Sequence, residues 1–133
     1  MPNLYLIPTS LNPLADSAAI LPEQLAQINH LQNFIVETAK IGRAHLKQLQ
    51  LAMPLQQLNI LELNKHKQDY SALIAPLKAG QDMGLISDCG CPAVADPASR
   101  VVNIAHQMGF NVVPLVGPSS ILLSLMASGL NGQ

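Results

Sequence analysis

Residues 83–97, which read MGLISDCGCPAVADP, decide the fold of this 133-residue chain. They open with MGLI, an apolar run of the length of a buried strand, and continue into a loop of Gly, Pro and small side chains. Asp96 and Pro97 then place an N-cap residue before a proline at the first helical position, so a helix is predicted to begin there. A strand, a loop and a helix in this order form the repeating unit of an α/β domain.

The same unit recurs on both sides of this stretch, in the order βαβαβαβαβα, which indicates a parallel sheet. In the helix after the second strand we expect Ile41, Leu46 and Leu49 to face inward. The predicted strands are Leu4–Ile7, Asn33–Val36, Leu58–Leu63, Met83–Ile86 and Asn111–Leu115. The predicted helices run over Ala39–Gln50, from Asp69 or Ser71 to Ala79, from Asp96 to about Met108, and from Ser119 to Ala127.

The composition fits one globular domain and disfavours several classes of protein. A hydrophobic content of 49% with 11% charged residues is typical of a buried core, and no apolar run approaches the ~18 to 20 residues of a membrane span. The first residues carry no signal-peptide pattern, so we expect a cytoplasmic protein. Cys89 and Cys91 are too close in sequence for an unstrained disulfide, and no ligand spacing indicates a metal site.

Ligands of an open parallel sheet bind beside the carboxyl ends of its strands. Four predicted loops follow such ends, at residues 8–16, 37–40, 87–96 and 116–120. The chain lacks the GxGxxG, GxxxxGK[ST] and GxSxG motifs, which disfavours common dinucleotide enzymes, nucleotide triphosphatases and ordinary α/β-hydrolases. The Gly, Pro and small side chains of these loops instead allow a ligand to approach the backbone closely.

Positive charge is concentrated in one predicted helix, although the formal net charge of the chain is only −1. Lys40, Arg43 and Lys47 recur at near-helical spacing and therefore form one basic stripe. Such a stripe is either a solvated helix face or a contact for phosphate groups, and the spacing alone leaves both interpretations open.

Five segments along the chain share a pattern with known enzymes: LYLIPTSLNPLAD (4–16), VETAK (36–40), GLISDCGCPAVADPASRVV (84–102), VVPLVGPSS (112–120) and LMASGL (125–130). Taken in order, these segments resemble the N-terminal half of enzymes of the tetrapyrrole methylase superfamily. Within that superfamily the resemblance is to the bacterial enzymes that methylate a ribose 2′-hydroxyl of small-subunit ribosomal RNA. The segments SDxGxP…DP and VVPxxGPS are the specific ones, and the match covers nearly all of the chain.

The resemblance implies a five-stranded, mainly parallel sheet in the order 3-2-4-1-5, with helices on both faces. Residues 1–133 would be the N-terminal α/β domain of a two-domain methylase whose second domain is absent from this chain. S-adenosylmethionine would lie in the cleft between the two domains of a homodimer. This half alone is then expected to bind the donor weakly and to be inactive.

The resemblance also implies which residues contact each substrate. The opening loop (Pro8, Thr9 and Asn12) and Glu37 would face the methyl acceptor. If that acceptor is ribosomal RNA, the basic stripe of Lys40, Arg43 and Lys47 is the part of this half best placed to meet its phosphates. The residues that would line the methyl donor are Asp88, Gly90, Cys91, Pro92, Val94, Ser119 and Ser120. Replacing Gly90 with Val is expected to block the donor without disturbing the domain.

A ribose hydroxyl must lose its proton during transfer, and Glu37 is the first candidate for the base, with Asp88 the second. Each carboxylate could instead only cap a helix or a loop. The acceptor loops depart from the ribosomal branch: Glu37-Thr38-Ala39-Lys40 stands where that branch has Glu-Asp-Thr-Arg, and Pro13 ends an altered opening. A tetrapyrrole or other small-molecule acceptor, or a non-catalytic cofactor-binding module, therefore stays an alternative.

Overall fold

The computed structural model, which describes residues 1–12, 18–63 and 69–133, contains a five-stranded parallel sheet in the order β3-β2-β4-β1-β5. The predicted strand order and the interior position of β1 are confirmed. The strands are β1 (Asn3–Ile7), β2 (Asn33–Val36), β3 (Asn59–Glu62), β4 (Met83–Ile86) and β5 (Asn111–Pro114). The α-helices are α1 (Pro22–Ile28), α2 (Ala39–Leu49), α3 (Tyr70–Leu73), α4 (Ala75–Lys78), α5 (Ser99–Gln107) and α6 (Ser120–Ser128), and a short 3-10 helix spans Leu55–Gln57.

The three central strands align so that their carboxyl ends meet at one edge. Ile7 of β1 is in register with Ile86 of β4, and Val36 of β2 is in register with the same residue. Every residue of β2 and of β4 is buried, as expected for parallel strands that are covered on both faces. The loops that follow β1, β2 and β4 therefore emerge side by side.

Alternate residues of the strands feed two separate hydrophobic clusters, which confirms helices on both faces of the sheet. One cluster joins Leu4 and Leu85 to residues of α3, α4 and α5, such as Val101. The other joins Ile7 and Phe34 to residues of α1 and α2. Helix α6 contributes to neither cluster.

Three details of the sequence prediction are wrong, each for a local reason. The single helix predicted up to Ala79 is broken at Ile74, because Pro76 has no N–H and its ring crowds the preceding turn. In α2 Ile41 is exposed, and the inward position belongs to Gly42, which packs against Val36.

The third concerns the helix predicted from Asp96, which begins at Ser99. Asp96 still accepts a hydrogen bond from the Ala98 N–H, at 2.8 Å, but it does so from within the loop that precedes the helix. No bounds were predicted for α1. The signal for its start in the sequence is Pro22, which follows Leu21 and stands at the first helical position, where proline is favoured. Pro13 and Asp16 of the predicted opening loop lie outside the described residues.

Candidate functional site

Three loops at the carboxyl edge are bonded to one another through their backbones. The Thr9 N–H, after β1, donates to the Gly90 carbonyl at 3.0 Å, and the Cys91 N–H, after β4, donates to the Pro118 carbonyl at 3.1 Å. The Val116 N–H, after β5, donates to Gln24 Oε1 of α1 at 2.6 Å. The loop after β4 is thus fixed between the loops after β1 and β5.

Two glycines make this close approach possible. A Cβ on Gly117 would lie 2.0 Å from the Cβ of Pro8, a distance that no side chain tolerates. Gly90 has a φ of +74°, and a Cβ there would lie 2.9 Å from Leu11 Cδ2 and 3.1 Å from the Pro118 carbonyl oxygen. The expectation that Gly90→Val disturbs only the ligand is therefore wrong, because the added side chain would strain the loop itself.

Asp96 organises the interior of the loop after β4. Its Oδ2 accepts from the Ser87 hydroxyl at 2.7 Å and from the Ala93 N–H at 3.0 Å. Ala93 and Ala95 both have positive φ angles, +67° and +54°, which side-chain-bearing residues rarely adopt. The Asp96 carboxylate holds this strained backbone in place and gives the loop one shape.

A depression of about 140 Å³ opens between the loops after β4 and β5. Five of the seven residues predicted to contact the methyl donor line it: Gly90, Cys91, Val94, Ser119 and Ser120. The described part of the wall also includes Leu11, Cys89 and Ile121, none of which was predicted to contact the donor. The position of Ile121 directly after two assigned serines was the available signal for it.

Asp88 and Pro92, the other two predicted donor residues, do not line this depression. Pro92 is buried. The Asp88 carboxylate accepts from the Thr38 N–H at 3.1 Å and from the Thr38 hydroxyl at 2.8 Å, so it faces the start of α2. Asp88 therefore joins the loop after β4 to the loop after β2.

Glu37 lies beside the same loop and is half-buried. Its Oε2 accepts from the Asp88 N–H at 3.2 Å, and His45 Nε2 lies 2.9 Å from the Asp88 carbonyl oxygen. Both side chains therefore support the loop after β4 from the side of α2. His45 was not singled out from the sequence, because its contact crosses 43 residues and leaves no local pattern.

In the predicted acceptor loop, Pro8 and Thr9 are buried and Asn12 is exposed. Thr9 packs against Gly90 through the backbone bond described above, so its role here is to support the loops. The Asn12 N–H donates to Ser10 Oγ at 3.0 Å. Of the three predicted residues, only Asn12 presents its side chain to solvent.

Burial raises the pKa of the Cys91 thiol above its usual range. The thiol therefore stays protonated at neutral pH, and Sγ donates to the Gly117 carbonyl at 3.3 Å. Cys91 thus acts as a small, neutral hydrogen-bond donor in the wall of the depression.

The basic stripe is exposed, as predicted, but it leads away from the depression. Lys40, Arg43 and Lys47 all lie on the solvent side of α2. Because α2 starts at the carboxyl edge and rises ~1.5 Å per residue, Lys47 lies roughly 10 Å further from that edge than Lys40. Arg43 and Lys47 flank hollows that also contain Leu55 and Leu58, beside the outer strand β3.

Across residues 1–12, 18–63 and 69–133, no three His, Cys, Asp or Glu side chains are grouped so that they could hold a metal ion. No helix within the described part of the chain is both long and apolar enough to cross a membrane.

The structure is an α/β domain with the strand order that the sequence resemblance implied. Comparison with curated proteins confirms the resemblance to the ribosomal RNA branch. The chain is 35% identical over 131 residues to a protein of Mesorhizobium japonicum named "Ribosomal RNA small subunit methyltransferase I". Proteins of the same name from Escherichia coli O157:H7 and Bacillus subtilis are 30% and 29% identical over 129 and 130 residues.

These matches cover nearly the whole of this chain but less than half of each relative. The three alignments take in 97%, 96% and 98% of the chain and 42% of each relative's length. No protein-family model matches the chain.

Proposed function

We propose that this chain is the N-terminal domain of an S-adenosylmethionine-dependent methyltransferase that acts on small-subunit ribosomal RNA. The observation that carries the proposal is the depression between Gly90 and Ser120, where two loops that are distant in sequence expose small residues to one space. The names of the relatives support the reaction and the substrate. A cytoplasmic location and a homodimeric state form part of the same proposal.

The depression fits one side of a donor site. Its volume of about 140 Å³ is below the ~300 to 1,000 Å³ that is usual for complete ligand pockets. The relatives' greater length supports a second domain that supplies the opposite wall. Among the residues that the structure describes, no charged side chain lines the depression, so the donor would be held by shape and by backbone groups.

When bound, S-adenosylmethionine supplies an electrophilic methyl group. The residues of this chain need mainly to align the donor and to exclude water from it. Gly90, fixed by the Thr9 and Pro118 loops, would offer backbone at close range, and Val94 with Ile121 would shield the site from solvent. Glu37 would accept the proton of the ribose hydroxyl, since its carboxylate lies at the same edge of the sheet.

The donor proposal is tested by NMR titration of the 133-residue chain with S-adenosylmethionine. We expect amide shifts to concentrate at Gly90, Val94 and Ser120, and Ser120→Phe to weaken binding at least about tenfold. Ser99→Phe is the matched control, because Ser99 is also the exposed first residue of an α-helix but does not line the depression. Equal losses in the two variants, or shifts concentrated elsewhere, would contradict the donor site.

The acceptor proposal is tested by measuring RNA affinity against salt concentration. Changing Lys40, Arg43 and Lys47 to Ala should flatten the salt slope by about two units, since each phosphate contact contributes ~0.7 on single strands. Changing Lys78 and Arg100 to Ala should leave the salt slope unchanged, because both residues are exposed but lie far from α2 in the sequence. An unchanged slope in the triple variant would favour a small-molecule acceptor.

A further inference from the structure

Gln24 is a polar side chain of α1 that lies inside the protein, with 7% of its surface exposed. Its Oε1 accepts from the Val116 N–H at 2.6 Å, across 92 positions of the sequence. Gln24 is the third residue of its helix, a position from which glutamine more commonly bonds to the N–H of the residue that precedes the helix. A residue type that usually acts locally at this place therefore makes a long-range contact here.

The Val116 N–H faces the open side of the sheet. The Leu115 N–H, one residue earlier, donates to the Leu6 carbonyl of β1 at 3.0 Å. Successive N–H groups of an extended chain point in opposite directions, and β5 is the last strand in the order, so the next N–H points away from β1 and past the edge of the described sheet. An N–H in this position needs an acceptor from outside the sheet, and the Gln24 side chain provides it.

The two ends of the Gln24 amide are not equally used. An N–H donor needs an oxygen acceptor, so the bond fixes Oε1 toward Val116. Nε2 is buried and has no hydrogen-bond partner within residues 1–12, 18–63 and 69–133. A buried donor without an acceptor costs free energy, because it has given up its bonds to water. A leucine or methionine would avoid this cost, so the contribution of glutamine at this position is its acceptor oxygen.

The bond lies where the chain leaves β5 and enters the loop that borders the depression. Two other contacts hold the same loop: Gly117 lies against the loop after β1, and the Pro118 carbonyl accepts from the loop after β4 at 3.1 Å. Ser119 and Ser120, which line the depression, follow directly. A shift of the backbone at Val116 would therefore move two residues of the wall.

Those two contacts join one loop to another, whereas Gln24 joins the loop to a helix. Helix α1 is anchored in the core by Ile28, which is fully buried, and by the partly buried Leu25. The Gln24 side chain consequently fixes the start of the loop relative to the hydrophobic core.

We infer that Gln24 is a positioning residue of the proposed donor site: by holding the Val116 N–H, it sets where Ser119 and Ser120 lie beside the donor. Gln24 is not among the described residues that line the depression, so it acts through the loop alone. The inference rests on the proposed function, because the ligand that it concerns is S-adenosylmethionine.

Amide hydrogen exchange on the unchanged chain is the first test, and it does not depend on the folding of a variant. Although Val116 is 70% exposed, its N–H should exchange at least about 100-fold more slowly than in an unstructured chain, because Gln24 holds it. Bound S-adenosylmethionine should slow the exchange further, since the donor and the Gln24 bond favour the same shape of the loop. An unprotected Val116 N–H, or one that bound donor does not slow, would overturn the inference.

Two substitutions at Gln24 separate its acceptor from its bulk. Gln24→Met keeps the length of the side chain and removes the acceptor, whereas Gln24→Glu keeps an acceptor oxygen in either protonation state. Gln24→Met should speed exchange at Val116 at least about tenfold and leave Leu115, which bonds to β1, unchanged. It should weaken donor binding in the NMR titration at least about fivefold, because fewer chains then hold the loop in the binding shape. Gln24→Glu should restore both values to within about twofold.

Gln27→Met is the matched control, because it makes the same chemical change at an exposed position of α1 and should alter neither value. Equally faster exchange at Val116 and Leu115 in Gln24→Met would mean that Gln24 only stabilises the fold, and an unchanged donor affinity would mean that the site does not need it. Either result overturns the inference and leaves the donor site in place. Absence of donor shifts in the unchanged chain would instead contradict the proposed function, and the exchange rates would then test the anchoring of the loop by themselves.

Discussion

The two edges of the sheet use polar residues for opposite purposes. At the amino edge, side chains bond sideways to one another: Asn59 Nδ2 donates to Asn33 Oδ1 at 3.0 Å, and Asn33 Nδ2 donates to Gln81 Oε1 at 3.2 Å. Asp82 accepts from the Asn3 N–H at 2.7 Å and pairs with His30 at 2.8 Å. These bonds tie neighbouring strands together and occupy the side chains that make them.

At the carboxyl edge, polar side chains bond mainly to loop backbone, and small residues are left facing outward. Asp96 and Asp88 hold the loop after β4, and Gly90 and Ser120 border the space that results. The hollow at the amino edge is the larger of the two, about 280 Å³ against 140 Å³. The two hollows therefore differ less usefully in volume than in their lining groups, which are already paired at the amino edge and face outward at the carboxyl edge, as the proposed donor site requires.

We expect the largest effect on the free energy of unfolding from replacing a glycine at the carboxyl edge, compared with replacing one at the amino edge. Gly117→Ala should lower the free energy of unfolding by about 3 kcal/mol, because its Cβ would overlap Pro8 and force two loops apart. Gly80, before β4 at the amino edge, has open space around it and a φ of +83°, so Gly80→Ala should cost only about 1 kcal/mol of backbone strain.

Urea denaturation of both variants measures the two free energies. The donor titration should separate them further, because Gly117→Ala moves the wall of the depression and Gly80→Ala does not. Equal stability losses would mean that the loops at the carboxyl edge can move apart freely, and the comparison of the edges would fail.

We expect a smaller change in the free energy of unfolding when an aspartate is removed from each edge. Asp96→Ala removes the acceptor of three hydrogen bonds, from Ser87, Ala93 and Ala98, and should cost about 2 kcal/mol. Asp82→Ala removes the partner of His30, whose side chain is 54% exposed, together with one backbone bond, and should cost about 1 kcal/mol or less.

The two aspartate variants should also differ in function. Asp96→Ala should weaken S-adenosylmethionine binding in the NMR titration, since the loop after β4 loses its single shape, whereas Asp82→Ala should leave binding unchanged. Weakened binding in the Asp82 variant would show that the amino edge contributes to the site.

Much of this architecture could be predicted from the sequence, apart from the three local details described above and the contacts between loops that are distant in sequence. The strands Asn33–Val36 and Met83–Ile86 were predicted with the bounds that the structure shows, because a buried parallel strand is a continuous apolar run. The strand order came from the resemblance. The orientation of Asp88 toward Thr38 was not predictable, because the bond joins residues 50 positions apart and depends on how two loops meet.

The smallest effect expected concerns the two thiols of the loop after β4, which stand one residue apart. Cys89 is exposed, whereas Cys91 is partly buried, and burial raises the pKa of the Cys91 thiol. A raised thiol pKa means less thiolate at any given pH, so alkylation of Cys91 should require a higher pH in the folded chain than in urea. The pH dependence of iodoacetamide alkylation, measured on the Cys89→Ser variant, which keeps only Cys91, tests this expectation. The Cys91→Ser variant gives the same measurement for Cys89.

A neutral Cys91 also suits a wall beside a methyl donor, because a thiolate there would compete with the acceptor for the methyl group. An alkylation profile of folded Cys91 that lies at lower pH than that of the unfolded chain would contradict this account of the carboxyl edge.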